Sequence, residues 1–97
     1  MINFTTGSNY QGSNITTLED AGFDDNSEFA TFKQAVKFYE LKGTELKGAK
    51  NCATLMKIVE KKVIDKLTGK MQKKKVPATF VVFERTHLEE IMQKNGH

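Results

Sequence analysis

Residues 52–83 read CATLMKIVEKKVIDKLTGKMQKKKVPATFVVF, and this stretch decides the fold. Leu55, Met56, Ile58, Val59, Val63 and Ile64 suit a strand from Cys52 to Ile64, and Leu67-Thr68-Gly69-Lys70 then gives a turn signal. The run from Val76 to Phe83 is dense in β-branched and aromatic residues and too short for an ordinary helix, with Pro77 near its start. Together they predict an antiparallel hairpin with a lysine-rich tip over residues 62–75.

Upstream, Phe29, Phe32, Val36 and Tyr39 recur with helical spacing behind a capping-box-like Asp25-x-x-Glu28, and Gly43 supplies a stop. This predicts the principal amphipathic helix, from Ser27 to Lys42. A shorter helix is expected from Ser13 to Ala21, with Ser13 or Asn14 as cap and Gly22 as stop. Met1 to Asn14 is rich in Asn, Ser, Thr and Gly and reads as a loop or extended polar arm. Downstream, Thr86-x-x-Glu89 reads as a capping box opening a short C-terminal helix through Gln93, which Asn95-Gly96 ends. No internal repeat is visible. The expectation is one small α+β domain spanning residues 1–97.

A content of 38% hydrophobic and 28% charged residues is that of a globular chain rather than a disordered one. No apolar run approaches the roughly 18 residues that a bilayer span needs, so no membrane partner is expected. The opening MINFTTGSNY has neither the basic nor the apolar region of a secretory signal. A single cysteine, Cys52, cannot form an internal disulfide, which suits a reducing cytoplasm. Two histidines and one cysteine do not make the usual zinc set, and no metal or other cofactor is expected.

Charge is strongly segregated. Residues 1–30 carry five carboxylates and no Lys or Arg, whereas residues 31–82 carry thirteen lysines against Glu40, Glu45, Glu60 and Asp65. A lysine run such as Lys73-Lys74-Lys75 is most often a solvated loop. A whole basic region can instead follow a phosphate backbone, with affinity that falls as salt rises.

Four segments in order resemble the N-terminal domain of the ArdC antirestriction proteins. Asn3 to Asn14, NFTTGSNYQGSN, is similar to that domain's N-x-x-T-G-x-x-Y-x-G-x-N opening. Thr31 to Ala35, TFKQA, resembles its T-[FY]-K-Q-A helix, and Leu46 to Lys50, LKGAK, resembles its V-[RK]-K-G-E-K segment. Val82-Phe83 with Thr86 to Leu88 resembles the closing V-F-N-x-x-Q-x-E less closely. In two departures, Phe4 stands where the family has Pro, and the basic hairpin is longer than is usual there.

The resemblance implies single-stranded DNA binding in proteins of plasmids and phages, in a bacterial cytoplasm. Larger relatives add a metalloprotease-like domain with H-E-x-x-H; neither His87 nor His97 lies in such a motif, and no catalytic constellation is expected. The candidate nucleic-acid-binding residues are Tyr10, Asn14, Thr31, Lys33, Gln34, Lys47, Lys50, Lys70, Lys73, Lys74 and Lys75. Tyr10, in a polar arm, is the first candidate for base stacking, and Phe38, off the apolar stripe, the second. The other aromatics read as core. RNA is a competing ligand. The alternative function is a small inhibitor that binds a host defence protein, with the acidic residues Glu19, Asp20, Asp24, Asp25 and Glu28 mimicking DNA phosphates.

Overall fold

The β-branched run ending in Phe83 is the backbone of the molecule. The computed structural model describes residues 1–96; His97 lies outside the described residues. Strand β4 (Met71–Glu84) pairs antiparallel with the whole of β3 (Ala53–Ile64), from Ala53↔Val82 to Ile64↔Met71. Its last two residues also pair antiparallel with β2 (Glu28–Ala30), which pairs parallel with β1 (Ile2–Asn3). The sheet order is β1-β2-β4-β3, and with α1 (Ser13–Asp20), α2 (Phe32–Phe38) and α3 (Arg85–Lys94) the fold is α+β. A 3₁₀ turn at Thr44–Leu46 links α2 to β3.

Successive residues of a strand face opposite sides, so Val82 and Phe83 serve two different cores. On one side Val82 joins Leu18 of α1, Phe29 and Leu55, with Tyr10, Phe23 and Phe80 packed against them. On the other, Phe83 joins Ala35, Leu41, Leu46, Leu88 and Met92. The base of the sheet is therefore covered on both faces.

Three expectations are corrected. The helix predicted from Ser27 to Lys42 is a strand followed by a shorter helix: Phe29 pairs with Glu84 in β2, and α2 begins only after Thr31. Thr31 and Gln34 form the capping box that Asp25 and Glu28 resembled, each side chain accepting from the other's backbone N–H. The N-terminal stretch is no loose arm, since β1 adds an edge to the sheet and Asn3 is buried. The hairpin tip is a six-residue turn at 65–70 rather than residues 62–75, which places Lys73, Lys74 and Lys75 within β4.

The smaller helices begin one or two residues from the predicted caps. Gly12, not Ser13 or Asn14, caps α1, and Gly22 (φ 96°) ends it as expected. Glu84, accepting from the Thr86 N–H, caps α3 in place of Thr86.

From Lys57↔Ala78 outward, among the described residues, β3 and β4 have only each other as ladder partners. This half of the hairpin projects as a two-stranded arm and gives the molecule its 56 Å length against widths of 30 and 21 Å. The side chains divide accordingly: Phe29 is fully buried, whereas Ile58 on the arm is 66% exposed. Phe29→Ala is expected to lower unfolding stability by about 3–5 kcal/mol and Ile58→Ala by less than about 0.5 kcal/mol, as read from urea titrations.

Candidate nucleic-acid interface

The polar residues of the N-terminal stretch are drawn together by Asn3. Its Oδ1 accepts from the Thr5 N–H (2.9 Å) and the Thr5 hydroxyl (2.6 Å), and its Nδ2 donates to Gln34 Oε1 (2.7 Å). The same Gln34 oxygen accepts from the Thr31 N–H at 3.1 Å. Segments 31 residues apart in sequence thus meet in one hydrogen-bonded knot, in which both the amide oxygen and the amide nitrogen of the buried Asn3 have a partner.

A notch of about 210 Å³ opens over this knot. It is lined by Asn3, Thr31 and Gln34 of the knot, by Thr6, Ser8, Asn9 and Tyr10 of the N-terminal stretch, and by Lys57 and Phe80 of the hairpin. The Lys57 Nζ stands 5.4 Å from the Phe80 ring centroid, a cation–π arrangement at the root of the arm. The notch is below the roughly 300–1,000 Å³ of pockets for drug-sized ligands, which suits a single planar ring. Thr6 and Gln34 also line a neighbouring hollow with Thr5, Lys37 and Phe38, so the two hollows adjoin, with Phe80 lining one and Phe38 the other.

Phe38 is 45% exposed, and Arg85 fixes its position. The guanidinium lies 5.0 Å from the Phe4 ring and 5.9 Å from the Phe38 ring, while pairing with Glu28 at 2.7 Å and Glu89 at 3.3 Å. Glu28 is thereby engaged within the fold. Asp24 likewise accepts from the Asn26 N–H in its own turn. A hollow of about 300 Å³ beside them is rimmed by Asp24, Glu28 and Glu84. Its carboxylates repel phosphate.

Tyr10 is not a free stacking platform. Its ring packs edge-on against Phe29 at 5.9 Å, and its hydroxyl is shut from solvent near Asn3 without hydrogen-bonding geometry. Burial pushes the phenol up to about 12. Burial likewise pushes the Cys52 thiol up to about 11. Asn14 is also committed elsewhere: its Nδ2 donates to the Met56 carbonyl and its Oδ1 accepts from the Met56 N–H, both at 2.9 Å. The side chain imitates a backbone amide and closes the edge of β3.

The remaining candidates divide by position. Lys33 is exposed on α2, outside the notch. Lys47 and Lys50 are exposed on the loop held to α3, where Asn95 Nδ2 donates to the Lys47 carbonyl and the Lys50 N–H donates to His87 Nε2. Lys70 closes the turn, its carbonyl accepting from the Asp65 N–H at 2.9 Å. The strand register puts Lys57, Lys61 and Lys74 on one face of the arm and Lys62, Lys73 and Lys75 on the other. Lys61 stands directly opposite Lys74, and Lys62 opposite Lys73.

Lys57, Phe80 and Asn9 were not singled out in the sequence. The signal lay in the hairpin register: once the turn is centred on residues 65–70, Lys57 and Phe80 fall on one face, diagonal to each other. Among the described residues no group of three His, Cys, Asp or Glu side chains is placed to hold a metal ion. Nor is any helix among them long and apolar enough to cross a membrane.

No protein-family model matches the chain, and neither a curated protein nor a solved structure is found to match it.

The buried phenol predicts a pH dependence. A tyrosine in the unfolded chain titrates near about 10, so as pH rises from about 10 the unfolded state sheds a proton that folded Tyr10 keeps until about 12. Its contribution to stability is fully present below pH 10 and falls through that window. Urea midpoints measured from pH 8 to 11.5 should drop, and Tyr10→Phe should drop less.

Proposed function

We propose that the protein binds single-stranded nucleic acid without reading its sequence, DNA by the ArdC-like reading, and acts by occupancy rather than turnover. The observation that carries the reading is the arm. Residues 57–75 hold eight lysines against Glu60 and Asp65, a net of +6, while the remaining residues sum to −3. Two successive lysine pairs face each other across its strands. Like charges directly opposite destabilise a ladder, and a polyanion relieves that repulsion.

The notch supports the same ligand. An unstacked base fits between Phe80 and the Asn3–Gln34 pair, with Lys57 beside it for a phosphate. Thr6, Asn9 and Gln34 offer polar contacts of either sense, which suits any base. A strand leaving the notch one way meets the lysines of the arm, and leaving the other way it meets Lys37 and the exposed ring of Phe38. Lys33, Lys47 and Lys50 add positive charge on the body. A strand so covered is shielded from nucleases, the role expected of a phage or plasmid protein in a bacterial cytoplasm.

Fluorescence anisotropy of a labelled single strand across a salt series tests the reading. Affinity should fall steeply with salt, and replacing Lys73, Lys74 and Lys75 with Ala should flatten the log–log slope by about 0.7 to 1.4, at roughly 0.7 per phosphate contact for the one or two of them on the face that the strand follows. The same triple substitution removes the opposed lysine pairs, so it should leave unfolding stability equal or raised. A slope unchanged by the substitution would sink the proposed role of the arm.

A further inference from the structure

The lysines occupy both faces of the arm. A single strand lying along one face would use Lys57, Lys61 and Lys74, or Lys62, Lys73 and Lys75, and leave the other three idle. A ligand with phosphates on both sides of the ribbon uses all six. A duplex groove is such a ligand, and two-stranded ribbons enter the major or the minor groove.

The tip adds a second observation. Leu67 is 96% exposed, with Ile64 and Met71 at 68% and 64% beside it. The turn that presents it is well tied: Asp65 Oδ1 accepts from the Leu67 N–H at 2.8 Å and the Asp65 carbonyl from the Gly69 N–H at 2.7 Å. Three apolar side chains are thus held in water, with Lys62, Lys66, Lys70 and Lys73 around them. Apolar wedges that enter base steps and kink a duplex have this make-up.

An anionic bilayer would also attract a basic arm with an apolar end. The spacing of the lysines argues against it. Lys57 lies seven residues back from Ile64 along the strand, about 23 Å at roughly 3.3 Å per residue. That is well beyond a Debye length of about 8 Å, so a tip seated in lipid leaves Lys57 without a charged surface to meet.

We infer that the arm is a duplex-binding element, with lysines from both faces meeting the two backbones of one groove and Leu67 entering a base step at its end. The notch takes a single strand at the root of the same arm. The preferred ligand is therefore a junction between single- and double-stranded DNA. The inference rests on the single-strand reading for the notch and on the two-faced lysines for the arm.

The test uses the full chain and three labelled probes: a single strand, a blunt duplex, and a duplex with a single-stranded tail. The tailed duplex should bind about tenfold tighter than either of the others. Energy transfer between dyes at the duplex ends should report a bend, which Leu67→Ser abolishes and Lys94→Ala, at the exposed end of α3, leaves in place. A tailed duplex bound no tighter than the single strand overturns the inference and leaves the single-strand reading standing. No binding to any probe at low salt overturns both. A bend that survives Leu67→Ser overturns the wedge. Tight binding to phosphatidylserine–phosphatidylcholine vesicles with no preference among the DNA probes overturns the inference in favour of a membrane-seated tip.

Discussion

The structure depends on the continuity of β4. Its final two residues belong to the body, where they pair with β2, and its first eight belong to an arm whose ladder has only β3 as partner among the described residues. One unbroken strand therefore fixes the direction of the arm relative to the notch. Pro77 sits in the middle of this strand without a backbone N–H to donate. It is tolerated because β4 has a neighbour on one side only at that level, so its missing donor costs no second ladder. A break there would leave two folded pieces with no defined geometry between them.

The hairpin was legible because its signal is local: alternation, β-branched residues and a Thr-Gly turn all lie within one segment. The helix at Phe32 was only partly so. Asp25-x-x-Glu28 and Thr31-x-x-Gln34 both satisfy the spacing of a capping box, and Phe29 keeps helical spacing with Phe32. Pairing of Phe29 with Glu84 settles the matter, and that contact spans fifty-five residues. Strands as short as β1 and β2 have no periodicity to read. Tertiary pairing overrides local pattern in such places.

The candidate site was legible in its residue types more than in their roles. Thr31, Gln34 and Asn14 are polar residues in recognisable motifs, yet each spends hydrogen bonds on the fold: two in the knot around Asn3, one on the edge of β3. Tyr10 looked exposed because its neighbours in sequence are polar, whereas its neighbours in space are Phe29 and Cys52. Motifs of this kind conserve a shape as readily as a contact. The surface left for a ligand is what the knot holds open: Thr6, Asn9, one face of Phe80, Phe38 and the lysines.

The arm is costly as a free structure. Two-stranded ribbons are marginal in water, and this one opposes lysine to lysine twice in succession. Its favourable contacts are few: Val59 against Val76, Glu60 opposite Lys75, and the hydrogen-bonded turn at Asp65. An isolated basic loop would gain nothing from holding its charges in a register. A ribbon holds them at fixed spacing on two known faces, which lowers the ordering cost at the moment of binding. Under the proposed function, phosphates placed between the opposed lysines relieve their repulsion. On the proposed function, a less stable arm in the free protein goes with a stronger and more salt-sensitive hold on a polyanion.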